Sequence, residues 1–380
     1  MIARADRLAW PALVMTAAAL LLGGCGSVSD EAQDSSLRAL EQPVPPPAKL
    51  AAPAPPDRCR GEFDSLPASR LPRPGRMPAG SLMERIHQRG TLRVGVDQNT
   101  LRLGYFDPAT RTMKGLDIDL VRAVARAIFG RSKEPIENHI VFTAISTAQR
   151  ESAIEDEAVD LVASAFSINC ERKDKMYFSS VYHVAQQKLL VPEDSTVDSV
   201  ADLRGKRVCA TKTSTSIDNL YKTGVVRHPV KLRPDCLVEL QEGRVAAITA
   251  DDAILVGFNE QDPQTKVVGD CINIERYGMA INLAHSEFVR FVNGVLKRLG
   301  TDGLERIRRR WLGDLSAPTG AEIARCNRAP ERLRAAHAAE HRRQERRVIA
   351  GHAAWRRALS APAIAQLYRC GHDCAYGASP

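Results

Sequence analysis

Asp160-Leu161-Val162-Ala163-Ser164-Ala165-Phe166-Ser167-Ile168-Asn169-Cys170-Glu171-Arg172, followed by Tyr177-Phe178-Ser179-Ser180-Val181-Tyr182, sets small and hydroxyl residues directly after a short apolar run. An arginine follows five residues beyond Ser167. The run Asp160–Ala163 reads as a short buried strand. Backbone amides and a hydroxyl at the carboxyl end of a strand can approach a carboxylate closely, and a guanidinium adds the planar two-pronged donor that such a group suits. In open α/β sheets, ligands sit in the crevice outside the carboxyl ends of the strands. The stretch therefore points to an α/β fold with an anion-binding crevice.

Outward from it, from about Leu82 to Gly313, short β-branched runs alternate with helical stretches. Leu92–Val96 and Lys206–Ala210 read as strands. Asp117–Phe129 reads as an amphipathic helix with Ile118, Val121, Val124, Ala125 and Ile128 on one face, and Phe288–Leu299 and Gly303–Trp311 read as two more helices. This alternation predicts an α/β architecture with mostly parallel pairing.

Both ends of the chain differ in composition. Arg4 and Arg7 precede an apolar core from Trp10 to Leu22, and Leu22-Gly23-Gly24-Cys25 closes it with small residues and a cysteine. The core is too short to span a bilayer and has the organisation of an export signal over residues 1–24. Leu-Gly-Gly-Cys resembles the lipobox of bacterial lipoproteins, which implies acylation of Cys25 and a place on the extracytoplasmic face of the cell membrane. The alternatives are a plain secretory signal or an uncleaved anchor. Residues 25–80 are rich in Pro, Ala, Ser and Asp, including Pro43-Val44-Pro45-Pro46-Pro47, and are expected to form an extended tether.

The net charge of +8 lies mostly at the other end, where residues 320–380 carry eleven arginines and no lysine against five acids. An exported chain seldom meets nucleic acid. A basic, Ala/Arg-rich extension over 317–380, expected to be helical, suits anionic headgroups or is a solvated face. Beyond Cys25, eight cysteines remain, and an even number in an exported chain favours disulfides over metal ligands or a catalytic thiol. Pairing Cys209 with Cys236 would close a loop of moderate length, worth about 3 kcal/mol. The partners of Cys271, Cys326, Cys370 and Cys374 stay open.

The opening stretch resembles the signature of family 3 extracellular solute-binding proteins, the receptors of polar amino-acid ABC transporters. Other segments resemble that family's motifs in the same order: Gly115–Leu120, Asp202–Val208, Asp251–Leu255, Tyr277–Ile281 and Trp311–Gly313. With the lipobox, Asp97–Thr100 and the Val208-Cys209 and Asp235-Cys236 pairs, the chain resembles actinobacterial glutamate/glutamine-binding lipoproteins in particular. The resemblance implies a two-lobed, periplasmic-binding-protein-like fold of type II, with a central cleft and a two-strand hinge. Lobe 1 would comprise 81–190 and return over 281–316, with lobe 2 over 191–280.

It also implies site residues. Arg172 would clamp the ligand α-carboxylate, with Ser167, Ser164 and amides near Ala165, while Thr215 and Ser214 complete that site from lobe 2. Asp251 would meet the α-ammonium. Thr147 and Arg150 would meet a distal carboxylate, and Asp97 and Gln98 would line the cleft. The ordinary alternatives are that Ser167 or Asp251 caps a helix and that Arg150 is solvated. The family usually carries glycine at the position of Thr213, so this chain departs from its pattern there. Cys170 would pair with Cys59.

The expectation is a monomeric receptor for glutamate or aspartate, or their amides, without cofactor or metal. It would serve an ABC permease or, as an alternative, signal to a membrane sensor. An enzyme on this fold is disfavoured, since no GxSxG, HExxH or P-loop spacing occurs and the tail is too short for a catalytic domain.

Overall fold

The computed structural model describes residues 63–130, 134–221, 223–315 and 317–327. The export signal, Cys25, Cys59, Cys370, Cys374, the tether up to residue 62 and the extension beyond 327 lie outside them.

Two five-stranded sheets organise the chain. The first has the order β5-β1-β6-β13-β7, from Ile140–Ala144 (β5), Leu92–Val96 (β1), Leu161–Val162 (β6), Ala280–Asn282 (β13) and Met176–Phe178 (β7). The second has the order β10-β9-β11-β8-β12, from Val226–Val230 (β10), Arg207–Thr211 (β9), Ala247–Asp251 (β11), His183–Pro192 (β8) and Thr265–Tyr277 (β12). A small antiparallel sheet, Asn99–Thr100 (β2), Gly104–Asp107 (β3) and Thr112–Lys114 (β4), follows β1.

The expected parallel pairing holds around β1 and β9, each flanked by two parallel neighbours. It fails at β8, β12 and β13, which pair antiparallel. Those are the strands through which the chain enters the second lobe and returns, so opposite directions follow from the connectivity. The two lobes share the antiparallel β8/β12 ribbon as their hinge, with Tyr277 opposite His183. Ser179 N donates to Met279 O at 2.9 Å and Tyr182 N to Tyr277 O at 3.0 Å, fastening the two crossings together. Sheet membership thus places the first crossing at 179–182 instead of 190, because β8 pairs with β11 of lobe 2.

The helix Leu116–Phe129 (α2) follows Arg89, the last residue of α1 (Leu82–Arg89), in lobe 1. It buries Ile118, Val121, Val124, Ala125 and Ile128 as its spacing predicts. Gly115 precedes it at φ 130°, and a side chain there would collide with the Leu103 carbonyl. The two helices expected over 288–299 and 303–311 are one element, Ser286–Leu312 (α8), kinked at Gly300. Between α2 and α8 lie Arg150–Glu155 (α3), Cys170–Lys173 (α4), Thr215–Asp218 (α5), Arg233–Gln241 (α6) and Asp252–Gln261 (α7).

The tether expected over 25–80 ends earlier than its composition suggests. Asn293 of α8 donates to Ser65 Oγ and Leu66 O, Ser69 N donates to Arg290 O, and Leu66, Leu71 and Met77 pack on the lobe 1 core. Three apolar side chains and a buried amide outweigh the prolines between them. Disulfides join Cys209 to Cys236, as expected, and Cys271 to Cys326. Among the described residues no helix is long and apolar enough to cross a membrane.

Candidate functional site

A cavity lies between the lobes. Arg150, Ala165 and Ser167 line it from lobe 1, and Thr215, Arg233 and Asp251 are among its lobe 2 lining.

The lobe 1 wall is the turn after β6. Ala165 adopts φ 45°, and its N–H donates to Asp117 Oδ2 at 2.8 Å. The expected role for that amide is therefore corrected: it is committed to Asp117, and Ala165 contributes wall instead. Asp117 also accepts from the Tyr182 hydroxyl at 2.7 Å, so one buried carboxylate at the start of α2 holds both the turn and the hinge. Burial raises its pKa to about 6. Asn169, not Ser167, caps α4 by accepting from Arg172 N. The Ser167 hydroxyl stays in the cavity, 3.5 Å from Thr215 Oγ1 across the cleft.

Both expected arginines are buried. Arg150, 3% exposed, donates to the carbonyls of Thr147, Ser164 and Ala165. Its guanidinium lies 4.1 Å from the centre of the Phe166 ring, which attracts a cation electrostatically. The solvated alternative is excluded. No carboxylate among the described residues forms a salt bridge with Arg150, and burial, then the charges of Arg172 and Arg233, pull its pKa well below the usual guanidinium range. A buried cation without a counter-charge is costly, and an anion in the cavity would offset that cost.

Arg172 stands at the edge of the cavity, not in its lining. It donates to Ser167 O at 2.6 Å and, across the cleft, to Thr213 O at 3.1 Å, with Glu151 3.7 Å away. Thr213 takes the left-handed conformation, φ 62°, that glycine would adopt without strain.

In lobe 2, Ser214 caps α5 by accepting from Ile217 N, so its hydroxyl has a local duty. Thr215 Oγ1 donates to Glu275 Oε2 at 2.9 Å. Asp251 occupies the N-cap position of α7 but makes no side-chain cap bond. Its Oδ2 accepts a short hydrogen bond from Tyr277, while Oδ1 is buried with no partner among the described residues. Burial, then the Glu275 charge, raises its pKa to about 8. An ammonium placed against Oδ1 would satisfy that oxygen and favour the ionised form.

Thr147 is buried with its hydroxyl unpartnered, close in sequence to Arg150 but outside the cavity lining. Gln98 is exposed, contributes its carbonyl to Phe106 N and is not among the residues lining the cavity. Ser164 likewise contributes its carbonyl, which accepts from Arg150 and Arg233. Asp97 lies behind the cavity wall and accepts from Asn99 N and from Arg233.

Sequence reasoning missed Arg233 and Glu275. Arg233 opens α6 and reaches across the cleft to Asp97 Oδ2 and Thr100 Oγ1, both at 2.8 Å. The one signal was a cation in a first helical turn, where the helix dipole disfavours it. Glu275 is 2% exposed on the hinge strand and accepts from Thr215, Asn219 and Asn273.

The sequence profile of bacterial extracellular solute-binding proteins, family 3, matches residues 92–314. A glutamine-binding protein of Geobacillus stearothermophilus is 32% identical over 200 residues, covering 52% of this chain and 74% of that protein. The glutamate-binding protein GluB of Corynebacterium glutamicum is 29% identical, covering 57% of this chain and 76% of that protein. An ancestral arginine-binding protein, solved bound to glutamine, superposes with a TM-score of 0.54 at 28% identity, covering 60% of this chain and 99% of that one. Two sheets joined by an antiparallel ribbon, a polar cavity between them and a profile spanning both place the chain among the bacterial extracellular solute-binding proteins of family 3.

Proposed function

We propose that this chain captures an amino acid between its lobes, an acidic one or its amide, and delivers it to an ABC transporter from the outer face of the cell membrane, anchored through Cys25. The single observation that carries the ligand class is the pairing of two unmatched buried groups in one cavity. Arg150 forms no salt bridge and Asp251 Oδ1 has no partner among the described residues. An α-amino dicarboxylic acid supplies an ammonium and a carboxylate that meet these needs together. The α-carboxylate would fall to Thr215 in the lining and to Arg172 at its edge, whose guanidinium would turn toward it from the Ser167 and Thr213 carbonyls. The binding names of the Geobacillus and Corynebacterium relatives support glutamine and glutamate as candidates.

Ligand bridging the lobes would shift the hinge equilibrium toward closure, and a membrane partner would read the closed form. Isothermal titration of the full chain with glutamate, aspartate, glutamine and asparagine tests the reading. Binding of at least one in the micromolar range is expected, and no binding below millimolar concentration would reject it. A second reading, a sensor that reports the same ligand to a signalling partner, draws on the segments outside residues 92–314, including the basic extension. Pull-down with a permease or with a membrane kinase separates the two.

A further inference from the structure

Residues 315 and 317–327 lie outside the family profile, yet this segment is bonded to both lobes. Helix α8 packs with α2 against the first lobe, and Leu312 at its end is buried. Leu315 stays with that helix: its N–H donates to Leu312 O, its carbonyl accepts from Arg308, and its side chain packs on the core. Residues 320–327 are helical, and Thr319 and Glu322 cap the start of this turn reciprocally. Cys326 is buried and bonded to Cys271 of β12, the outer strand of the lobe 2 sheet. Helix 320–327 also lies near β8. Hydrogen bonds from Thr319 lower the pKa of Glu322, and the charges of Arg325 and of Lys188 on β8 add to this.

The chain therefore passes between the lobes a third time, separately from the two hinge crossings. Only residues 316–318 separate Leu315 from Thr319, so this connection spans at most about 14 Å when fully extended. Pro318 within it is buried and has a fixed φ. Cys271 sits where the β8/β12 register shifts, between Val268 and Asn273, so the anchor point is on the hinge ribbon itself.

We propose that residues 317–327, closed by the Cys271–Cys326 bridge, form a covalent strap that limits how far the lobes open. A shorter opening range raises the population of near-closed states in the free receptor and slows ligand escape.

Two variants of the full chain test this, purified in detergent under oxidising conditions. In one, Cys271→Ser and Cys326→Ser are combined. In the other, eight Gly/Ser residues are inserted between Ser316 and Ala317, leaving the bridge and the helix intact. Single-molecule fluorescence between labels on unnatural residues at positions 126 and 206 reads the inter-lobe distance without ligand. Both variants are expected to populate longer distances than the parent. Titration with L-glutamate and L-glutamine is expected to give a Kd raised roughly three- to tenfold through faster dissociation. If the insertion variant keeps the parental distance distribution, the bridge is only a local staple of helix 320–327 and the proposal is overturned. The distance measurement needs no ligand, so a failed titration would count against the ligand assignment and leave the strap to be judged by itself.

Discussion

Arg233 of the second lobe donates to Asp97 of the first at 2.8 Å, and both side chains are buried. The same guanidinium also reaches Thr100 Oγ1 and Ser164 O, so one side chain joins the carboxyl ends of β1 and β6 to the start of α6. An aspartate beside an anionic ligand would repel it. Here Arg233 stands between Asp97 and the cavity and neutralises that charge. The pair can form only when the lobes approach, which makes it a closure contact as well as an electrostatic shield.

Arg233→Met should therefore weaken binding of glutamate and glutamine alike. Removing one member of a buried charge pair leaves the other unpaired at a cost of about 2 kcal/mol or more, roughly thirtyfold in Kd or greater. Asp97→Asn combined with Arg233→Met should recover part of that loss, because no carboxylate is then stranded. Isothermal titration of the single and double variants provides the cycle, and purely additive effects would remove the pair from the closure account.

Arg150→Met should separate acid from amide. Its guanidinium would lose a charge-assisted contact to a distal carboxylate, costing glutamate about ten- to a hundredfold, while glutamine binding changes little. Arg172→Ala, by contrast, should abolish binding of both, since it removes the donor that spans Ser167 and Thr213. Competition measurements with both ligands decide the matter, and equal losses in Arg150→Met would eliminate it as the selectivity residue.

The order of the motifs made the lobes and the hinge legible, because each motif sits at a strand end that the topology brings to the cleft. What could not be read was contact across the cleft. Asp97 and Arg233 are 136 residues apart, and nothing local marks them as partners. The burial of Arg150 depends on the Phe166 ring and on carbonyls of the turn after β6, which sequence spacing does not reveal. The amide of Ala165 looked available for a ligand, yet Asp117, 48 residues earlier, takes it. Proline-rich composition hid the docking of 63–80, where Leu66, Leu71 and Met77 find a surface that exists only in the folded lobe.

Asp251 gives the site a pH dependence with a definite sign. Its pKa in the free receptor is raised to about 8, so at pH 6 it is largely protonated. A ligand ammonium favours the carboxylate, and binding must then release a proton. Affinity should rise with pH up to about 8 and level off above it. For stability the sign is opposite. The folded pKa lies above the ordinary value of 3.8, so the folded state binds the extra proton between these values. Stability from this group is fully present below about pH 4 and is lost as pH rises through 8. Asp251→Asn should raise the melting temperature of the free protein at pH 8 and flatten both profiles. Calorimetry across pH 5–9 checks this, and an unchanged profile in the variant would assign the titration elsewhere.

Thr213 offers a test of the carboxylate turn that leaves its chemistry alone. A β-branched residue at φ 62° is strained by roughly 1–2 kcal/mol, because its Cβ crowds the neighbouring carbonyl in the left-handed region. The contribution of Thr213 to the site is its backbone oxygen, which accepts from Arg172, while its hydroxyl is exposed and, among the described residues, bonds to the Lys212 carbonyl. Thr213→Gly should keep that carbonyl in place and relieve the strain. Part of the gain is returned as the greater freedom of glycine in the unfolded chain, leaving about 0.5–1 kcal/mol of added stability. Urea unfolding should show the midpoint moving up with an unchanged slope, and amino-acid affinity should stay within about twofold. A large loss of affinity would mean that the threonine side chain, and not the turn it sits in, holds Arg172 in position.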